Sequence, residues 1–280
     1  MTGNRASILE FCSGVLLRGD LASKLAAPPV GLDLEAREAP VEIDAPARDP
    51  GIALTRGSSR LPALDALRQP AARAKCLARF AHHELMAVEL FAWALLRWPD
   101  VPTGLRRDWL AALREEQIHC GLYLERLAAH GIQFDDFEHS DYFWRQAPTI
   151  AASPAGARAF LAGIGLTLEQ ANLDFSAMYR DAFRRAGDEE SAGVCQRVHD
   201  DEIRHVGHAY HWLRELAGPE PDAVSAYCDA VPFPLSGARA KGRRFHVAPR
   251  ERAGLAPELI SHVRDAGSST DLHPNARSRS

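Results

Sequence analysis

The chain has 280 residues, of which 46% are hydrophobic and 25% are charged. This composition fits a globular protein with a substantial core, and the length allows one large domain or two small ones. The formal net charge of −4 gives no global basic field, so neither nucleic acid nor an anionic membrane is expected as a partner. The five cysteines are scattered without a CxxC pair, which argues against a disulfide framework and a zinc knuckle.

The beginning of the sequence lacks the pattern of a secretory signal, since no basic segment precedes a long apolar stretch and a small-residue cleavage site. No uninterrupted apolar run reaches the length of about 18 residues that suggests a membrane span. We therefore expect a protein of the reducing cytoplasm without a membrane partner. Basic residues are dense between Arg239 and Arg252. We interpret them as a solvated basic tail, with a phosphate-binding patch as the alternative.

The N-terminal part, 1–70, is predicted to pack on the rest of the protein as a helix followed by an arm. Residues 6–26 form the predicted helix. Residues 27–70 contain seven prolines among charged residues, which prevents long helices. The pattern therefore predicts an extended arm that lies over another surface or is partly disordered.

Residues 71–216 are predicted to form four long helices in two pairs. A short turn closes each pair, and the aromatic and acidic segment 132–154 connects the pairs and is expected to contain a short helical piece. This connectivity is that of a ferritin-like four-helix bundle, so the predicted class is all-α. The tail, 217–280, is expected to wrap the bundle and to end in disorder. The predicted helices span 72–98, 105–130, 155–185 and 189–216.

The second and fourth predicted helices each contain an ExxH motif. The motifs place Glu116 with His119 and Glu202 with His205. A spacing of i and i+3 puts the carboxylate and the imidazole on one helix face, where both can reach one metal ion. One ExxH is expected by chance in such a sequence, but two copies in two similar helix pairs indicate a duplicated site.

The first and third predicted helices each offer a carboxylate at the matching height. In an antiparallel pair, residues at equal distances from the turn lie level, and reflection of the ExxH motifs leads to Glu84 and close to Glu169. Glu84 precedes the ExxH glutamate of its pair by 32 residues and Glu169 precedes its own by 33. Glu89 is the alternative to Glu84, but it lies on another face of the helix and fits the reflection less well.

The two lone glutamates share their helix faces with apolar residues, where an ionised carboxylate is costly unless it is paired or bound to a metal. Two divalent cations would make such a set stable. Oxygen and imidazole ligands without thiolate favour iron or manganese over a structural zinc site. The predicted cofactor is two Fe ions, with Mn/Fe or Mn as alternatives. The predicted ligands are Glu84, Glu116, His119, Glu169, Glu202 and His205.

These motifs resemble the ferritin-like superfamily, and specifically its di-iron carboxylate members. The sequence DEIRH (201–205) is similar to the DExRH helix of multicomponent monooxygenases and ribonucleotide reductase small subunits. A nearer resemblance, over roughly residues 60–216, is to the bacterial ferritin-like family DUF455. It implies Glu84 as a ligand, a variable acidic position at Glu89 and a role for His82 next to the ligands, but no substrate. The segments that carry it are AHHELMAVEL (81–90), REEQIHCGLYLERLAAHG (114–131), LTLEQANLD (166–174) and RAGDEESAGVCQRVHDDEIRHV (185–206), with a weaker similarity in 242–259.

Further residues are predicted to support the ligands. Asp201 and Glu115 each precede a ligand glutamate and could accept the distal N–H of a ligand histidine, which would orient that ring. Asp201 is preferred, because the DExRH pattern includes it. Tyr123 lies one turn beyond His119, where a packing role is favoured over a redox role.

The leading functional hypothesis is an oxidoreductase in which a reduced dimetal centre binds O2 and attacks a small organic substrate. An electron-donor protein and a second copy of the chain, as a dimer, are possible partners. The alternatives are a tRNA- or RNA-modifying di-iron hydroxylase, an iron-binding or storage protein, and a scaffold in which the metal only stabilises the bundle.

Overall fold

The computed structural model describes residues 7–57 and 60–267. Within these ranges the protein is mostly helical, which confirms the expected all-α class. The one sheet among the described residues joins β1 (Leu54–Thr55) to β2 (His139–Ser140) as a parallel pair. No described helix has both the length and the apolar character needed to cross a membrane. The helices are α1 (Ile8–Leu17), α2 (Leu21–Leu25), α3 (Pro70–Arg97), α4 (Thr103–Ala129), α5 (Ala147–Ala151), α6 (Ala157–Phe160), α7 (Gln170–Arg185), α8 (Glu189–Ala217), α9 (Ala223–Ala230), α10 (Val247–Arg252) and α11 (Pro257–Asp265), with a π-helical segment at Leu161–Glu169 and 3-10 turns at Pro50–Ile52, Leu64–Arg68, Phe134–Asp136, Trp144–Gln146 and Gly237–Arg239.

The described residues divide into two compact units. Unit 1 comprises the chain up to Ala147 together with Arg180–Val194, and unit 2 comprises Pro148–Tyr179 and the chain from Cys195 onward. The predicted domain limits at residues 70 and 216 stay predictions.

The predicted helix 6–26 is divided into α1 and α2, and residue 6 lies outside the described ranges. The break is at Gly19, where an added Cβ would lie 2.3 Å from a carboxylate oxygen of Asp49. Asp20 then caps α2, because its carboxylate accepts the backbone N–H of Ser23 at 2.7 Å. A close approach of the chain to Asp49 and a strong new cap together end the first helix early.

The proline-rich segment lies in extended conformation against the helices of unit 1. The backbone N–H of Val41 donates to the carbonyl of Leu96 at 3.0 Å, and the N–H of Ala47 donates to the carbonyl of Leu16 at 2.7 Å. The buried guanidinium of Arg106 on α4 donates to the carbonyls of Leu34 and Ala36, each at 2.6 Å. Side chains and backbone of the helices thus satisfy polar backbone groups of the arm outside its short strand β1.

Helices α3 and α4 form the helical hairpin at the centre of unit 1. Pro70 starts α3 at the first helical position, where its missing N–H costs nothing, and Trp98–Pro102 turns the chain back into α4. The helix α3 is buried on nearly every side between Ala74 and Leu96. The predicted first helix pair is therefore present, and one partner of its buried face is the N-terminal arm.

Unit 2 contains most of the third long helix and most of α8. The third helix runs without a break from Ala157 through the π-helical segment into α7. The helix axes approach closely at Gly165, because an added Cβ there would lie 2.3 Å from the Cβ of Ala209 on α8. The C-terminal segment is fastened to α7 by the fully buried pair Asp174 and Arg250, whose nearest contact is 2.9 Å. This pair fixes α10 against α7.

Candidate metal centre

The first triad consists of Glu84 on α3 and of Glu116 and His119 on α4, all within unit 1. One ligand atom from each of these buried side chains lies within 4.8 Å of the others. Nδ1 of His119 is 3.2 Å from Oε2 of Glu116, the i,i+3 contact that the ExxH spacing predicts. The hairpin turn therefore brings the lone glutamate of α3 to the height of the ExxH motif.

The second triad consists of Glu169, Glu202 and His205, all within unit 2. One ligand atom from each again lies within 4.8 Å of the others, and all three residues are buried. Nδ1 of His205 is 3.3 Å from Oε2 of Glu169 and 3.4 Å from Oε2 of Glu202. The second triad thus repeats the composition and the ring-to-carboxylate distances of the first.

Glu169 is the last residue of the π-helical segment Leu161–Glu169. This segment has the wider turn of an i to i+5 helix, and the hydroxyl of Thr167 donates to the carbonyl of Ala162, five residues back, at 2.8 Å. The hydroxyl of Tyr227 on α9 lies 2.7 Å from that of Thr167. Side chains inside and outside the helix therefore hold the unusual turn that sets the direction of Glu169.

An asparagine on α7 contacts one carboxylate of the second triad. Nδ2 of Asn172 donates to Oε1 of Glu202 at 2.8 Å, so the amide meets the oxygen other than the one that lies near His205. On the same helix the hydroxyl of Ser176 donates to the carbonyl of Asn172 at 2.6 Å and lies 3.1 Å from Nδ1 of His199.

The side chains of both triads fit a divalent ion with a preference for oxygen and imidazole ligands. Each triad offers two carboxylates and one imidazole in a buried setting, where two like charges repel unless a cation lies between them. The neighbouring thiol of Cys120 donates to the carbonyl of Ala81 at 3.3 Å. Its burial, and next the charge of Glu84, raise the pKa of that thiol well above its ordinary value, so no thiolate is available as a ligand. Such a donor set suits iron or manganese.

Glu89 is fully buried on α3 and pairs with one cationic group from α2 and one from the proline-rich arm. Its Oε1 lies 2.8 Å from the ammonium of Lys24, and its Oε2 lies 2.8 Å from Nη2 of Arg48. The indole N–H of Trp144 also donates to Oε2 at 2.9 Å. Both oxygens of Glu89 thus have partners within the protein, whereas the carboxylate of Glu84 lies beside Glu116 and His119 in the first triad.

His82 belongs to the same network around Arg48. Its Nε2 donates to the carbonyl of Ser140 at 2.7 Å, and its Nδ1 lies 3.4 Å from Nη1 of Arg48. Burial holds the pKa of His82 well below its usual range, and the charge of Arg48 lowers it further. The ring is therefore neutral at pH 7 and ties α3 to β2.

The other residues that were predicted to support the ligands are placed as follows. Asp201 is buried and accepts from Arg197 at 2.6 Å and from Arg204 at 2.7 Å, both on its own helix. Glu115 is half-buried on α4. Tyr123 is buried with its ring centroid 5.2 Å from that of Phe80. The orienting roles proposed for these residues stay predictions.

Sequence reasoning missed Asn172 and the two cations that meet Glu89. Asn172 had one usable signal, since it follows Glu169 by three residues and so shares its helix face. Arg48 had none, because the proline-rich segment has no periodicity that would point a given side chain at α3. Lys24 had none either, because the continuous helix predicted for 6–26 is broken before the short α2 that carries it.

Comparison with known proteins places most of the chain in one family. A family model described as a protein of unknown function, DUF455, matches residues 17–261. An uncharacterized protein of Haemophilus influenzae is 29% identical over 151 residues, which cover 51% of this chain and 51% of that protein. The chain thus spans about half the length of the curated relative that it matches. No solved structure matches the chain. The chain belongs to the DUF455 family.

Proposed function

We propose that the protein is a ferritin-like, O2-activating oxidoreductase that holds one metal ion, preferentially iron, at each triad, and that the two ions form one coupled dimetal centre. The main support is that the ligand atoms of each ExxH motif lie within 4.8 Å of a ligand atom of the lone glutamate that reflection about the turn predicts. All of these side chains are buried. The repeated sequence pattern supports the pairing of the two ions, since each half of the bundle supplies the same three ligands.

The roles of the chain's own residues follow from their chemistry. Glu84, Glu116 and His119 would hold one ion and the second triad would hold the other. A pair of iron ions held by these residues would supply the two-electron chemistry that couples reduction of O2 to oxidation of an organic substrate. The four glutamates would offset the four positive charges of two Fe(II) ions, and each imidazole would bind as a neutral ligand. Burial of all six side chains keeps bulk water from the ions, which protects a reactive centre.

The proposed substrate is a small organic molecule, and the proposed source of electrons is a donor protein. Hydroxylation, N-oxygenation, desaturation and C–C cleavage all belong to the reaction class that this ligand set supports. The acidic balance of the chain, with a net charge of −4, favours a small molecule over RNA.

Anaerobic loading with Fe(II) followed by stopped-flow mixing with O2 tests the proposal. We expect two Fe(II) per chain, consumption of O2 on mixing, and an oxidised form whose two irons are magnetically coupled in its Mössbauer spectrum. The variant Glu116→Ala/Glu202→Ala is the control and should consume no O2. Binding of two Fe(II) without O2 consumption would contradict the enzyme and leave a scaffold role, whereas uptake of many irons per chain would favour storage.

A further inference from the structure

We infer that Asn172 is a positioning residue that fixes the Glu202 carboxylate for the second ion and makes the two ion sites unequal, an inference that rests on the proposed function. The third long helix carries both a ligand and this amide. Asn172 follows Glu169 by three positions, so the two side chains lie on one face of the helix. The face that presents the lone glutamate therefore also presents an N–H donor to the carboxylate of the ExxH motif on α8.

The contact distinguishes the two oxygens of Glu202. Nδ2 of Asn172 donates to Oε1 at 2.8 Å, while Oε2 lies 3.4 Å from Nδ1 of His205. A hydrogen bond from a neutral donor to a buried carboxylate is short, directional and stronger than one between neutral groups. With Oε1 held by the amide, Oε2 is the oxygen directed to the ion, and rotation of the carboxylate would break the bond to Asn172.

A second hydrogen bond joins the two helices one turn further along. The hydroxyl of Ser176, one turn further along α7, donates to the carbonyl of Asn172 at 2.6 Å and lies 3.1 Å from Nδ1 of His199. His199 precedes Glu202 by three residues on α8. Two successive turns of α7 are thus joined to two successive turns of α8.

The corresponding position of the first half carries no such donor. The residue three positions after Glu84 is Ala87, whose methyl group cannot donate a hydrogen bond. The two triads have equal ligands but different neighbours at this position. The second ion is therefore the one for which the helix of the lone glutamate also supplies an amide to the ExxH carboxylate, and the two sites should differ in affinity.

The experiment titrates the metal-free full-length protein with Co(II) and follows the visible d–d absorption. Wild type should bind two Co(II) in two distinguishable steps. Asn172→Leu, which keeps the size of the side chain but removes the donor, should weaken one step by about 10- to 100-fold and change the spectrum of that step only. Asn172→Ser, whose hydroxyl reaches less far, should bind Co(II) in that step with an affinity between those of wild type and Asn172→Leu. Thermal melting of the metal-free variants provides the check of folding.

Ser176→Ala is the matched control, because it removes a hydrogen bond at the same helix interface without touching a ligand, and it should retain both steps. If both Co(II)-binding steps keep their wild-type affinities and spectra in Asn172→Leu and Asn172→Ser, the inference is overturned, but the proposed metal centre is not. An equal loss in Ser176→Ala would also overturn it, since packing of the interface would then be the cause. A wild type that binds no Co(II) would overturn the metal centre and the inference together.

Discussion

The ammonium nitrogen of Lys24 lies 2.8 Å from Oε1 of Glu89, and both side chains are fully buried. Arg48 contacts the other oxygen of the same carboxylate at 2.8 Å and is itself 2% exposed. One buried carboxylate thus compensates two buried cations, one from α2 and one from the proline-rich arm. Removal of one member of such a cluster leaves an uncompensated charge in the interior, which costs more than the intact pair contributes.

Glu89→Gln should therefore lower the free energy of unfolding by about 3 kcal/mol or more while two metal ions still bind. Equilibrium unfolding in urea measures the first quantity, and elemental analysis of the folded variant measures the second. Glu190→Gln, which removes the carboxylate of an exposed ion pair with Arg126, is the control and should change stability by less than about 1 kcal/mol. A loss of metal in Glu89→Gln without loss of stability would make Glu89 a ligand instead of Glu84.

Glu116→Ala and Glu202→Ala should each reduce metal content well below two ions per chain while the helicity persists. The reason is that each substitution removes a ligand from one triad but leaves the helix hairpin that carries it, because Ala is the best helix former. Metal analysis after reconstitution with Fe(II) and circular dichroism of the same samples provide the two readings. Unchanged metal content in both variants would refute the ligand assignment.

The stability of the protein should fall in mild acid, partly because of His139. This ring is 2% exposed and packs between His82 and Phe134 at centroid distances of 4.8 and 4.3 Å. Burial, followed by the charges of Arg48 and Arg79, lowers the pKa of His139 from 6.5 to about 4. Between these values the unfolded chain binds a proton that the folded protein does not, so each pH unit of acidification costs up to about 1.4 kcal/mol.

His139→Phe removes this proton uptake and should flatten the dependence of stability on pH between about 6.5 and 4. Urea unfolding at several pH values measures the slope. The exposed His208, changed to Gln, should leave the slope as in wild type. A slope in His139→Phe that equals the wild-type slope would assign the acid sensitivity to other groups.

Gly165→Ala should destabilise unit 2, because the new Cβ would lie 2.3 Å from the Cβ of Ala209 and the two helices would have to separate. The expected cost is about 1–3 kcal/mol. Gly193→Ala is the matched helical control, since nothing lies within 4 Å of its added Cβ and Ala is the better helix former. It should stabilise by about 0.5–1 kcal/mol, so that melting temperatures move in opposite directions. A melting temperature of Gly165→Ala at or above that of wild type would contradict the close approach.

The helices and the two triads could be predicted from the sequence because their geometry repeats. A helix fixes which residues share a face, and a short turn fixes which residues lie level, so Glu84 could be located from Glu116 alone. The break at Gly19 was not predicted, since it depends on the approach of Asp49, which is distant in sequence. The same holds for Lys24 and Arg48, whose contacts with Glu89 span 65 and 41 residues of chain.

Because the helical turns between Leu161 and Glu169 are wide, the direction of the Glu169 side chain depends on the number of residues in this segment. In an ordinary helix one residue corresponds to about 100° of rotation. Deletion of a single residue between Leu161 and Thr167 would relax the segment toward ordinary helical geometry and turn Glu169 away from Glu202 and His205, although every side chain of the triad would still be present. Insertions and deletions in this stretch should therefore abolish the second triad more completely than most substitutions do.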